Sequence, residues 1–147
     1  MPVTSEIRVR YAETDQMGIV YYANFLVWFE IGRVELLRTS GYSYAEMETV
    51  HHCMIPVIDV NCRYRAPARY DDEILIETGI GLLRESVVKF IYRVMRKDPN
   101  GGEPKLLADG ESVHVICDKQ MNRKPLPESI REKLRVHLVE KLGETAN

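Results

Sequence analysis

The chain has 147 residues, 45% hydrophobic and 29% charged, with a formal net charge of −2. This is the composition of one soluble globular domain over residues 1–147, able to bury roughly 68–70% of its unfolded surface. A pI of about 6.1 leaves no global electrostatic case for binding nucleic acid or an anionic membrane. The N-terminus has no apolar h-region, and the uncharged run over residues 16–29 falls short of the roughly 20 apolar residues that span a bilayer.

In chain order, Ile7, Val9 and Tyr11 alternate with Glu6, Arg8 and Arg10, the period of a first strand. From residue 22 to about residue 40 the spacing becomes helical. The segment has no proline, its one internal glycine is Gly32, and Gly41 is placed to stop it. Tyr22, Phe25, Leu26, Val27, Trp28, Phe29 and Ile31 make it apolar almost all round, which predicts a buried helix.

Strands follow. Ile58, Val60, Cys62 and Tyr64 alternate with Asp59, Asn61, Arg63 and Arg65. Ile74, Ile76, Thr78, Ile80 and Leu82 make a second apolar face; Val88, Phe90, Tyr92 and Val94 a third; Val113, Val115 and Cys117 a fourth. Turn signals stand at 65–72, 97–105 and 119–125. Residues 127–142 read as a terminal amphipathic helix with a basic outer face. The prediction is α+β: an antiparallel sheet of about five strands wrapped around one long central helix, with a short C-terminal helix. Leu75, Val87, Ile91 and Met95 on the other strand faces, and Trp28 on a crowded helix, point to burial against another subunit. The three cysteines, Cys53, Cys62 and Cys117, are odd in number and far apart, which fits reduced cytosolic thiols and a cytoplasmic location.

One acid is oddly placed. Asp15 stands at the mouth of the uncharged run, in the connection between the first strand and the helix. Gly18 lets that loop turn tightly or lets a ligand approach its backbone. No Ser, Thr or Asp directly precedes the helix start near Tyr21 or Tyr22, so its first N–H groups are open to an anion or oxyanion. A carboxylate beside free backbone donors is what acyl transfer needs. An Asp in such a loop is most often a solvated turn residue or a cap, and Asn24 could cap the helix one turn later.

The stretch "RYAETDQMGIVYYANFLVWFEIGRVELLR" (10–38) and the segment "RAPARYDDEILIET" (65–78) resemble the hot-dog-fold thioesterases. The likeness is specifically to the 4-hydroxybenzoyl-CoA thioesterase-like group that includes the Tol-Pal-associated acyl-CoA thioesterases. The resemblance covers most of the chain and implies an acyl-CoA thioesterase without metal or other cofactor. It implies that Asp15 is the catalytic acid, as nucleophile on the thioester carbonyl or as general base on water. It implies that the Tyr22 backbone N–H points at the thioester oxygen. Many relatives carry His at that position; Tyr here removes any role for a His side chain and leaves the backbone role. The acyl slot would involve Gly18, Ile19, Tyr21 and residues of a partner subunit, because sites in this fold lie between protomers of a homodimer or homotetramer. Coenzyme A phosphates need cations. Arg84 with Ser86 stands at the corresponding turn, although Glu85 dilutes the charge there, and Arg65 is a second candidate, with Arg63 and Arg69 read as solvated.

Other constellations carry less. "HHCM" (51–54) has no second ligand cluster at a zinc-like spacing. His114 reads as a hydrogen-bonded or exposed strand histidine, and Glu30 as a buried partner of Arg33 or Arg8. The rival class is an acyl-CoA or acyl-carrier-protein binding module of the same fold without turnover. A hydratase would need a His or second acid that the signature loop lacks. The acyl group is not legible in the sequence.

Overall fold

The computed structural model describes residues 1–143. The order is β1 (Val3–Arg8), a 3-10 turn (Tyr11–Glu13), α1 (Asn24–Thr39), α2 (Tyr44–Thr49), β2 (Val57–Tyr64), β3 (Glu73–Leu83), β4 (Val87–Arg96), β5 (Lys105–Val115) and α3 (Glu128–Leu134), followed by a 3-10 turn over Arg135–His137. The five strands make one sheet in the order β1-β3-β4-β5-β2, every neighbouring pair antiparallel. The sheet wraps one face around α1, the arrangement that the sequence predicts.

α1 starts at Asn24, two residues later than its periodicity indicates, because Tyr22 and Ala23 form the turn that leads into it. It ends as read. Gly41 sits at φ +90, its N–H donates to the Arg38 carbonyl, and the Tyr42 N–H donates to the Leu37 carbonyl at 2.9 Å, which is a Schellman stop. Burial follows one stripe, Phe25, Trp28, Phe29, Gly32, Leu36 and Leu37, at the 3-4 spacing of a helix face. The helix is therefore not buried all round: Val27 and Glu30 are exposed. Gly32 is set by close approach, since a Cβ there would lie 2.2 Å from Thr78 Oγ1 on β3. Phe29 stacks on Tyr92 of β4 with centroids 4.1 Å apart.

Several expectations are corrected. Tyr11 leaves β1 for the 3-10 turn and is exposed. Glu30 is no buried ion-pair partner; Arg8 instead pairs with Asp71 and Glu73. Trp28 needs no second subunit to cover it, being fully enclosed by this chain. α2 was not predicted, although Ser43 with Glu46 is a capping signature, and the Ser43 hydroxyl accepts the Glu46 N–H. β2 has the predicted alternation but sits at the sheet edge, with Ile58, Val60 and Tyr64 exposed. The terminal helix stops at Leu134. Beyond the 3-10 turn the chain runs extended, Leu138 bridging Ile80 and the Val139 N–H donating to the Ile80 carbonyl. This tail covers part of the outer sheet face that carries Leu75, Val87 and Ile91.

β5 is inverted relative to its apolar pattern. Ser112 and His114 face the core, while Val113 and Val115 are half-buried on the outer side. A polar chain makes this inversion tolerable: Tyr92 Oη lies 2.6 Å from Ser112 Oγ, Ser112 Oγ lies 2.8 Å from His114 Nε2, and His114 Nδ1 lies 3.0 Å from the Ile55 carbonyl. A carbonyl only accepts, so Nδ1 carries the proton and Nε2 accepts from Ser112. His114 is pushed down to about 4, chiefly by burial; the Ile55 bond opposes the shift and Arg33 adds to it. The unfolded chain binds this proton near pH 6.5, so stability is complete above that pH and declines as pH falls toward 4, by up to about 3 kcal/mol. Urea unfolding between pH 7 and pH 4 is expected to show that decline, and His114→Gln to flatten it; equal slopes in both proteins would contradict the assignment.

Candidate active site

The loop that carries Asp15 is closed on itself. Thr14 and Val20 form an isolated antiparallel bridge, the Asp15 N–H donates to the Ile19 carbonyl at 2.9 Å, and the Gly18 N–H donates to the Asp15 carbonyl at 3.0 Å. Gly18 takes φ +78 in open space, the conformation that reverses the chain. Asp15 Oδ1 accepts the Met17 N–H at 2.8 Å, an Asx turn. The turn reading of Asp15 thus holds, and the same bond aims the carboxylate: Oδ1 is fixed while Oδ2 has no partner among the described residues. The 65–72 turn anchors the loop from the side, the Val20 N–H donating to the Ala68 carbonyl at 2.8 Å. Arg69, read as solvated, is exposed but reaches the Gly18 carbonyl at 3.5 Å.

The helix start lies next to this loop. The N–H groups of Asn24, Phe25 and Leu26 donate to the carbonyls of Tyr21, Tyr22 and Ala23. Ala23, the N-cap, makes no side-chain cap bond. Asn24 does not cap either; its amide turns back to the Glu13 carbonyl at 2.8 Å. The N–H groups of Tyr22 and Ala23 consequently have no acceptor among the described residues. Open donors are present as the missing cap implied, one turn ahead of the helix rather than within it.

Aromatic side chains crowd the surface around the loop. Tyr21 and Tyr22 stand with ring centroids 4.7 Å apart, Tyr22 meets Tyr64 edge-on at 6.4 Å, and Tyr11 meets Tyr70 edge-on at 5.6 Å. Tyr64 donates its hydroxyl to the Tyr22 carbonyl at 2.8 Å, which ties the donor-bearing turn to the β2 edge. The Tyr21 phenol is held above its ordinary value, first by the hydrogen bond and charge of Tyr22, then by burial and by the Asp15 carboxylate. Ile19 is half-buried beside them.

The predicted phosphate contacts separate into two places. Arg84 is exposed in the β3–β4 turn, and its guanidinium has no partner among the described residues. Ser86 lines a cavity of about 240 Å³ together with Glu85, Arg123, Lys124 and Pro125. Arg123 has no side-chain partner among the described residues; Lys124 donates to the carbonyls of His51 and His52 at 3.1 and 3.3 Å. Arg65 lies elsewhere. It forms a two-pronged pair with Asp109 at 3.0 and 3.1 Å and lines a cavity of about 540 Å³ on the outer sheet face with Arg63, Ile91 and Gly143. That larger cavity shares no residue with the Asp15 loop.

Three contributors were not foreseen. Arg123 and Lys124 sit in the 119–125 turn, whose basic pair is visible in sequence, but only the fold brings them to Ser86. Glu13 is buried beside the loop and bonds to Trp28; a charged residue two places before Asp15 carries no sequence signal of burial. Among the described residues no group of His, Cys, Asp or Glu is arranged to hold a metal ion, and no helix is long and apolar enough to cross a membrane.

Known proteins resemble this chain over most of its length. The model of the thioesterase-like superfamily matches residues 9–134. The chain is 40% identical over 115 residues to the putative acyl-CoA thioesterase YneP of Bacillus subtilis, covering 78% of this chain and 79% of that one. It is 33% identical over 126 residues to the acyl-CoA thioester hydrolase YbgC of Escherichia coli O6:H1, covering 84% and 89%. A crystal structure of a hypothetical protein from Thermus thermophilus superposes with a TM-score of 0.83 at 33% identity, covering 95% of this chain and 99% of the other. The sheet wrapped around α1 is the hot-dog fold, and with the family model reaching from Val9 to the end of α3, the chain belongs to the thioesterase-like superfamily.

Proposed function

We propose that the protein hydrolyses acyl-CoA thioesters to a free carboxylic acid and CoA, with Asp15 as the reacting carboxylate. The observation that carries this reading is the pairing, within one short segment, of a carboxylate with one oxygen free and two backbone N–H groups, Tyr22 and Ala23, without acceptors. Those donors are suited to an oxyanion forming on the thioester carbonyl. Two routes use the same groups. In one, Oδ2 attacks the carbonyl carbon, the C–S bond breaks, the thiolate takes a proton from water, and water cleaves the resulting anhydride. In the other, Oδ2 takes a proton from a water that attacks the carbonyl directly, and that proton passes to the leaving sulfur. The test is thiol release from a panel of benzoyl-, short-chain and long-chain acyl-CoAs; release from none of them overturns the reading.

The acyl slot is completed by a second copy of the chain, so a dimer is the smallest active form and a tetramer is compatible with it. Supporting this, the loop opens onto exposed Tyr21 and Tyr22, and the neighbouring β2 edge exposes Val57, Ile58 and Val60, an apolar edge that isolated proteins avoid. Gly18, Ile19 and Tyr21 line the near side of that slot.

The CoA phosphates are held by Arg84, in the β3–β4 turn, and by Arg123, which lines a cavity with Ser86, whereas the Arg65 guanidinium is already committed to Asp109. Charge reversal at Arg84 and Arg123 together is expected to raise KM for acyl-CoA about tenfold or more, from the loss of one or two charge-assisted bonds. KM for the matching acyl-N-acetylcysteamine thioester, which has no phosphates, stays unchanged. Equal increases for both substrates would remove these residues from the phosphate site.

A further inference from the structure

We infer that Glu13 is a positioning residue that fixes the spacing between the Asp15 carboxylate and the free N–H groups at Tyr22 and Ala23. The inference rests on the thioesterase reading and adds a residue to it. Glu13 is a carboxylate only 6% exposed, and every acceptor it has is directed at a different part of the site. Oε1 accepts the Arg10 N–H at 2.8 Å, at the exit of β1. Oε2 accepts the Trp28 indole N–H at 2.8 Å, on the buried face of α1. Its carbonyl accepts both the Tyr21 N–H at 2.9 Å and the Asn24 amide at 2.8 Å.

One residue thus ties the strand exit, the central helix and the turn before that helix into one unit. Asp15 follows it by two residues, through Thr14, and the Tyr22 N–H follows the tied Tyr21. Among the described residues the only cation paired with the carboxylate is Arg10, whose Nε stands 3.5 Å away on a largely exposed side chain. The main holders of this buried group are therefore the two N–H donors, which is expensive unless both bonds are kept. A surface turn needs no such arrangement; a site that must hold its reacting groups within a fraction of an ångström does.

Glu13→Gln tests this. Glutamine keeps the shape but offers one acceptor and one N–H donor where the site presents two donors, so one of the two bonds is lost. Trp28 is the chain's single tryptophan, so its emission reports the indole bond directly. Expected is a shifted Trp28 emission, a kcat lowered about 10- to 100-fold, and a KM within threefold of wild type. A purely structural Glu13 would instead lower the unfolding midpoint and leave kcat per folded molecule alone; that outcome overturns the inference. If Glu13→Gln does not fold, Asn24→Ala decides: it removes only the bond to the Glu13 carbonyl, and it is expected to lower kcat about tenfold without changing KM. Unchanged kcat there overturns the inference too. A wild-type protein that hydrolyses no acyl-CoA is a separate result, which removes the functional reading itself.

Discussion

Asp15→Asn is expected to lower thiol release from acyl-CoA by roughly 10²- to 10⁴-fold, the range for loss of a positioned acid–base group, with little change in fold or in acyl-CoA affinity. The structure makes this substitution unusually informative. Asp15 closes its loop by accepting the Met17 N–H on Oδ1, and an asparagine carbonyl oxygen accepts that bond equally well. What changes is Oδ2, which becomes an amide that neither attacks a carbonyl nor takes a proton from water. A turn residue and a reacting residue therefore separate cleanly: the first predicts a near-normal variant, the second an inactive one. Steady-state thiol release, with circular dichroism and binding of CoA measured on the same preparations, distinguishes them. Asn and Asp forms that are equally slow while still binding acyl-CoA would make the protein a binding module that retains the fold without the turnover.

The second large effect concerns a main-chain group. Tyr22→Pro removes the N–H that lacks an acceptor among the described residues, so the variant gives up no observed backbone bond. Tyr21, the residue before it, lies outside the helix, where the restriction that proline imposes is tolerated. Loss of one oxyanion donor lowers kcat about 10²- to 10³-fold. Tyr22→Ala is the control. It discards the ring and its contacts with Tyr21 and Tyr64 but keeps the N–H, and is expected to stay within tenfold of wild type. A proline variant as active as the alanine variant would move the oxyanion site away from Tyr22. The two variants thereby test the aromatic ring and the amide separately.

Much of this protein was determined by its sequence alone. Period-2 runs specified β3 and β4 with the correct faces, because Ile74, Ile76, Val88, Phe90 and Val94 have nowhere to go but the core. Gly41 determined where α1 ends, because a left-handed residue after a helical run costs glycine little. The order of residues from Asp15 to Tyr22 determined that a carboxylate and uncapped N–H groups share one loop. Family membership was legible in that same segment.

Other features were decided only by the tertiary structure, and each for a reason that local pattern does not contain. Ser112 and His114 point inward against their hydropathy because Tyr92 and the Ile55 carbonyl, distant in sequence, satisfy them. β2 has the alternation of a buried strand but falls at the sheet edge, since strand order follows from which neighbours pair and not from composition. Arg65 and Arg123 look alike as basic residues in sequence. Folding places one against Asp109 and the other beside Ser86, because charge partners are chosen by contact across the sheet. Glu13 reads as a surface charge until Arg10 and Trp28 close on its two oxygens, and burial of a carboxylate is favourable only when such donors converge from separate parts of the chain.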